Sequence, residues 1–242
     1  MGSYEEAYAA LSTVVDPELD EPITELGFVH TLVVSPAGNI KVHLRLPTSF
    51  CSPNFAYLMA SDAKDILTRL AWTRTVVVEL DDHHDSDIIN AGLAADAGYR
   101  GTFGHEALDS LDELRITFHR KAHTAAMERC LTALLRAETG RPEASLGDVT
   151  VAELPDDSTT EALLRRRGQL GLSTEATALV LVDHNGNGYP PEAVPLALRR
   201  ARSTRISIDG NAHFCRGLLR TRYSDPVGPQ HTLIPLTPIG AL

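Results

Sequence analysis

The chain has 242 residues, 43% of them hydrophobic, and a formal net charge of −10, so it can bury a substantial core. The charge is uneven, because residues 1–140 hold 21 acidic and 11 basic side chains while residues 141–242 hold 11 of each. This acidity disfavours general nucleic-acid binding, and no apolar run is long enough to predict a membrane span. The three cysteines form no CxxC pair, which predicts a reducing cytoplasm and no disulfide framework.

The first 82 residues predict a small α+β domain. Ser3 and Glu6 form a capping box for a helix over residues 4–14. Alternating apolar residues predict strands over 28–35 and 40–46, and a β-branched run predicts a third strand over 75–80. With an amphipathic helix between the last two strands, the order is α-β-β-α-β, which gives a small mixed sheet with helices.

Cys51 lies in the loop between the second predicted strand and the second helix. Ser52 suits the N-cap and Pro53 suits the first helical position, so the helix is predicted to begin there. Free backbone N–H groups and the positive end of the helix dipole favour a thiolate at such a place. A thiolate binds metal or attacks sulfur. The alternative is that Cys51 is a small buried hydrophobic residue.

Sequence motifs flank this loop in a recognisable order. They are an Asp-Pro-Glu turn, an Ile-x-x-Leu-Gly-x-Val segment and a threonine that precedes Cys51 in a loop opening a helix. The arrangement over about residues 3–82 resembles the DUF59 family, also called MIP18-like, of iron–sulfur cluster assembly factors. The matching residues are Asp16, Pro17, Glu18, Leu26, Gly27, Val29, Thr48 and Cys51. One departure is that Pro53 follows Cys51 by two residues instead of one.

The resemblance implies a role in assembling or delivering iron–sulfur clusters, with Cys51 as the functional thiol. It also implies that Asp16 and Glu18 lie near the loop that Thr48 and Ser52 help to form. One cysteine cannot hold a cluster alone, since clusters normally take four protein ligands. Another Cys or His, a homodimer mate or a client must therefore complete the site. The implied cofactor is a transient iron–sulfur cluster or iron, and the implied partners are a client metalloprotein and other assembly factors.

Residues 83–140 are predicted to form a helical connecting region, with a helix over 86–97, a loop over 99–105 and a long helix over 119–139. The Asp-Asp-His-His-Asp sequence at 81–85 could ligate a metal, but a strand-end loop before a helix capped by Ser86 is preferred. His119 and His123 are half of a helical zinc site. Arg120 stands where a metalloprotease needs Glu, so two surface histidines are predicted instead.

Residues 141–242 are predicted to form a C-terminal α/β domain of undefined topology. Strands are predicted over 149–154, 178–182 and 205–209, helices over 159–170 and 190–201, and an extended tail over the last twenty residues. His213 and Cys215 share a face if they lie on a strand, and in a loop they could bind one metal. With Cys51 they form a candidate ligand set. The alternative is a structural pair, and Cys130 is predicted to belong to the core.

Two main functional hypotheses follow. The first is an accessory protein for metal-centre maturation that delivers iron–sulfur clusters or iron to a client enzyme, with a diiron monooxygenase as a more specific form. The second is a non-catalytic adaptor or chaperone in which Cys51 is structural. A hydrolase or other metalloenzyme built on His119, His123 and the Asp-His loop at 81–85 is disfavoured, because it lacks a complete motif. The sequence holds no Gly-rich phosphate loop and no GxSxG motif, which also weakens a stand-alone enzyme.

Overall fold

A computed structural model of the protein describes residues 2–104, 111–138 and 140–223. By their contacts the residues divide into two compact units. Of the described residues, one unit comprises 2–16, 21–104 and 215–223, and the other comprises 17–20, 111–138 and 140–214. No helix among the described residues has the length and apolar character needed to cross a membrane.

The first unit is built on a three-stranded sheet with strand order β1-β2-β3. β1 pairs with β2 antiparallel, and β2 pairs with β3 in parallel. The order α-β-β-α-β and the α+β class are as predicted, with ends that differ by a few residues. The elements are α1 Ser3–Leu11, β1 Val29–Val34, β2 Asn39–Arg45, α2 Pro53–Thr68 and β3 Thr75–Asp81.

The core of this unit lies between the sheet and α2. Ile40, Val42 and Leu44 of β2 are each at most 2% exposed, while the residues between them face outward. The buried residues of α2, which run from Ala56 to Leu67, pack toward that face. Burying each large aliphatic side chain stabilises the unit by roughly 1.5–3 kcal/mol, so the strand alternation fixes both the register and the position of α2.

Two further helices extend the first unit past the predicted boundary at residue 82. They are α3 Ser86–Ala94 and α4 Gly98–Phe103. The Asn90 side chain attaches α3 to the sheet edge, because it accepts from Leu80 N–H at 2.8 Å and donates to Leu80 C=O at 3.2 Å. The predicted loop over 99–105 is wrong as far as Phe103, since Tyr99 and Phe103 pack on Tyr57 of α2. Residue 105 lies outside the described residues.

The described part of the second unit is mainly helical. Its elements are α5 Leu111–Ala137, two 3₁₀ turns at Glu143–Asp148 and Val151–Glu153, α6 Ser158–Gln169, and α7 Val194–Arg222 up to Phe214. Its core includes Met127, Leu131, Leu163 and Leu198. Asp157 caps α6, because its carboxylate accepts from two backbone N–H groups of the first turn at 2.9 Å.

Three strands predicted beyond residue 140 are wrong. Val180, Leu181 and Val182 are buried as expected. In the described residues, however, the predicted strand over 178–182 is replaced by two isolated β-bridges, Thr150 with Leu179 and Val182 with Gly188. Residues 205–209 lie inside α7, where Arg205 and Asp209 form an i, i+4 ion pair at 2.7 Å. The predicted extended tail falls mostly outside the described residues.

Candidate functional site

Cys51 occupies the position that the sequence predicts, in the loop between β2 and α2. We call residues 46–52 the Cys51 loop. Pro53 is the first residue of α2 and Ser52 is its N-cap residue, so the half-buried Cys51 lies two residues before the helix. The Ser52 side chain makes no capping hydrogen bond in the described structure, so its hydroxyl does not stabilise the helix end as predicted. The first N–H groups of α2 thus keep their positive field near the sulfur.

Thr48 faces the sulfur of Cys51. Its Oγ1 lies 3.5 Å from Cys51 Sγ and accepts a hydrogen bond from the backbone N–H of Phe50 at 3.2 Å. Since that backbone group supplies its own proton, the hydroxyl proton of Thr48 can point at the sulfur. Thr48 is therefore placed to donate to the sulfur of Cys51.

His83 holds the backbone of the Cys51 loop. Its Nδ1 accepts from the N–H of Asp85 at 3.1 Å, and its Nε2 lies 2.8 Å from the carbonyl oxygen of Cys51. The backbone donor fixes the tautomer, so Nε2 carries the proton and donates it to Cys51. The adjacent His84 donates its backbone N–H to the carbonyl of Ser49 at 2.8 Å. The predicted preference for a strand-end loop at 81–85 is consistent with these contacts, but Asp85 and not Ser86 is the N-cap residue of α3.

Arg222, the last residue of α7, clamps the same loop. Its guanidinium donates to the carbonyl of Leu46 at 3.2 Å, to Ser49 Oγ at 2.7 Å, and to the carbonyl of Asp82. One side chain thus joins the start and the middle of the Cys51 loop to the turn after β3. A planar guanidinium with several fixed donors suits this role better than a lysine ammonium.

Tyr223 supports this clamp. Its ring lies under two guanidinium groups, with Arg45 at 4.6 Å and Arg222 at 5.2 Å from the centroid. Its hydroxyl donates to the Asp82 carboxylate at 3.2 Å. Partial burial is the main cause that raises the pKa of Tyr223, so it stays a neutral donor. Sequence reasoning missed Arg222 and Tyr223 as part of the Cys51 site, because their partners lie far upstream.

The tip of the Cys51 loop carries an exposed aromatic residue. Phe50 is 79% exposed and lies 5.7 Å from the ring of His84. Its backbone N–H is held by Thr48, so the ring is displayed from an ordered turn. An exposed phenylalanine next to a half-buried thiol is a favourable point for contact with another protein.

The acidic turn resembles the family motif, and its two carboxylates have different surroundings. Asp16 is 6% exposed, and its backbone N–H donates to the carbonyl of Glu21 at 2.9 Å. Glu18 accepts from the Asn211 side chain at 3.2 Å. These contacts account for the turn itself, and the nearness of Asp16 and Glu18 to the Cys51 loop stays a prediction.

Two members of the candidate ligand set, His213 and Cys215, do not have the local structure that was predicted for them. His213 and Cys215 lie within α7, not on a strand or in a loop. Two residues apart on a helix, they point in nearly opposite directions. Among the described residues, no group of three or more His, Cys, Asp or Glu side chains gathers in a way that could hold a metal ion. A metal role for Cys51, His213 and Cys215 stays a prediction.

The remaining candidates have different roles. His123 is 2% exposed, which corrects the prediction of two surface histidines, and burial is the main cause that lowers its pKa to about 4. Cys130 is core, as predicted, because it is 2% exposed and burial raises the pKa of its thiol to about 11. An unreactive Cys130 and a half-buried Cys51 with a hydroxyl at its sulfur are clearly different chemical environments.

Comparisons with known proteins concern mainly the first third of the chain. A family model described as iron–sulfur cluster assembly protein matches residues 5–80. Over 42 residues the chain is 48% identical to a protein named iron-sulfur cluster carrier protein from Mycobacterium leprae (strain TN). That stretch is 17% of this chain and spans only 11% of the relative. No solved structure matches the chain significantly.

Proposed function

We propose that this protein carries an iron–sulfur cluster, or iron, to a client metalloprotein, because residues 5–80 match the family model described as iron–sulfur cluster assembly protein. Cys51 is the thiol that binds the iron of this cargo. The observation that carries the proposal is the surroundings of its sulfur, which lies just before the first turn of α2 and 3.5 Å from Thr48 Oγ1. Both features place hydrogen-bond donors near the sulfur that would bind the iron.

The contacts of Thr48, His83 and Arg222 suggest a role for each of them in binding the cargo. Thr48 donates toward the sulfur, so it disperses charge on a thiolate before and after iron is bound. His83 and Arg222 hold the backbone of the Cys51 loop through the carbonyls of Cys51 and Leu46. Loading and release are ligand exchanges at iron, in which one thiolate replaces another and no electron is transferred.

The ligand count favours a transient cargo. Clusters take four protein ligands, and the described residues place no second or third ligand beside Cys51. The missing ligands are supplied by a second copy of this chain, by another assembly factor or by the client. A site that is complete only with a partner releases its cargo when that partner offers a better ligand set.

The client is a metalloenzyme of the cytoplasm. A more specific version of the proposal is that the client is a diiron monooxygenase, and the cargo is then iron for the diiron centre. The exposed ring of Phe50, beside the thiol, is the contact point for the client. The same ring also supports the second candidate, a chaperone or adaptor that binds a client while Cys51 is only structural.

Anaerobic reconstitution of the full chain separates the two candidates. The protein is incubated with ferrous iron, a cysteine desulfurase and cysteine, desalted, and assayed for bound iron and acid-labile sulfide. The loaded protein is then mixed with an apo-ferredoxin acceptor, and transfer is followed by circular dichroism. Cys51→Ser is compared with Cys215→Ser, a matched control because both thiols are half-buried.

The carrier hypothesis predicts that Cys51→Ser loses both loading and transfer while Cys215→Ser retains them. Both variants should melt close to the wild type, since exchanging sulfur for oxygen at a half-buried position costs about 1 kcal/mol. Equal loading and transfer by Cys51→Ser and wild type would refute the thiol role and favour the adaptor.

A further inference from the structure

A cavity of about 500 Å³ lies within the second unit, between α5 and α7. α5 contributes Arg120, Lys121 and Met127, and α7 contributes Ala197 and Arg200. These positions follow helical spacing, so one face of each helix lines the cavity. The loop that carries His184 and Tyr189 forms a further wall. The volume is within the range of cavities that hold small molecules.

The cavity has an apolar floor and a cationic rim. Met127, Val182 and Ala201 are at most 4% exposed, so the floor is part of the buried core. The rim side chains Arg120, Lys121 and Arg200 belong to exposed residues. None of the described residues that line the cavity is acidic. This local excess of positive charge contrasts with the net charge of −10 for the whole chain.

The rim cations also differ in their ion pairing from three other arginines on the same two helices. Arg129 pairs with Asp209, and Arg202 and Arg205 pair with Glu128, at 2.5–3.2 Å. Arg120, Lys121 and Arg200 have no carboxylate within ion-pair distance in the part of the chain that the structure describes. Carboxylates thus neutralise these three arginines of the two helices, whereas the three rim cations keep their charge available to a ligand.

We propose that this cavity binds a small amphiphilic anion. A carboxylate or phosphate head group lies among Arg120, Lys121 and Arg200, and an apolar body lies on Met127 and Val182. Charge-assisted hydrogen bonds to a rim of this kind favour an anion, and the buried floor gains by covering apolar surface of the ligand. The proposal goes beyond cluster delivery, because it concerns the second unit and does not involve Cys51.

Isothermal titration calorimetry on the full chain at low salt tests this proposal with probes that share one tail. The probes are octanoate, octyl phosphate, octanol and octylamine, together with inorganic phosphate, which has no tail. We expect octanoate, octyl phosphate or both to bind, and octanol and octylamine to bind roughly tenfold more weakly or not at all. The anion that binds more tightly identifies the head group.

Two charge reversals on neighbouring residues locate the site. Arg200→Glu should weaken binding of the favoured anion by roughly tenfold or more. Arg199→Glu is the matched control, because Arg199 is exposed on the same helix but does not line the cavity. Circular dichroism confirms that both variants are folded. Equal effects of the two reversals would overturn the proposal. So would octanol binding as tightly as octanoate, inorganic phosphate binding as tightly as octyl phosphate, or neither anionic amphiphile binding.

Discussion

The buried histidine of α5 predicts a pH dependence for the second unit. His123 is 2% exposed, and its Nε2 has no hydrogen-bond partner among the described residues. Burial is the largest cause that lowers its pKa from 6.5 to about 4, and the charges of Arg167, His184 and Arg166 lower it further. The imidazole is therefore neutral in the folded protein at pH 7.

The magnitude follows from the two pKa values. The unfolded chain takes up a proton near pH 6.5 and the folded chain only near pH 4, so the stability is fully present above pH 6.5 and is lost as the pH falls. At 1.36 kcal/mol for each pKa unit, the whole loss is about 3 kcal/mol. At pH 5, where the unfolded histidine is charged and the folded one is not, about 2 kcal/mol is already lost.

Comparison with His123→Leu isolates this contribution. Carboxylates titrate in both proteins, so they cancel in the difference between the two free energies of unfolding. Denaturant-dependent hydrogen exchange of α5 peptides, measured by mass spectrometry, reports the second unit separately. We expect His123→Leu to gain about 2 kcal/mol relative to wild type between pH 7.5 and pH 5. A constant difference between the two proteins over this range, or a His123 NMR titration midpoint near 6.5, would refute the reasoning.

Two further predictions concern the first unit. Arg222→Ala should destabilise the Cys51 loop by about 2 kcal/mol, since it removes charged donors from its carbonyls. Faster hydrogen exchange in the loop would show this, while Arg220→Ala, an exposed residue in the same helical turn, should exchange as wild type. Gly92→Ala should lower the melting temperature, because its Cβ would lie 2.1 Å from Thr102 Oγ1. Gly217→Ala, which meets nothing within 4 Å, should instead stabilise α7 by about 1 kcal/mol, and equal effects of the two glycine substitutions would contradict this account.

The fold of the first unit could be predicted from the sequence because its strands and helices have clear local patterns. Strand alternation in β2 is unambiguous, and Pro53 marks the start of α2 at the residue where the helix begins. The contact of Arg222 with the Cys51 loop could not be predicted from the sequence. Arg222 is 176 residues away from Leu46, to whose carbonyl it donates. No local pattern distinguishes this arginine from Arg220, two residues earlier in the chain.

The second unit was harder to predict for two physical reasons. A short apolar run such as residues 178–182 is consistent with a strand or with an irregular buried segment, and periodicity alone cannot decide. The four-residue spacing of His119 and His123 places both on adjacent positions of a helix, but it does not say which face is buried. The described helix already includes Leu111, eight residues before the predicted start at residue 119.

Footprinting of the cysteines in the wild-type protein tests the central claim most directly. The full chain is labelled anaerobically with iodoacetamide before and after loading with iron and sulfide, and the labelled peptides are measured by mass spectrometry. Only a thiolate that is free of iron can react. We predict that loading protects Cys51, that a chelator restores its labelling, and that Cys215, in α7, reacts equally in both states. Unchanged labelling of Cys51 in protein that holds iron and sulfide would contradict the account.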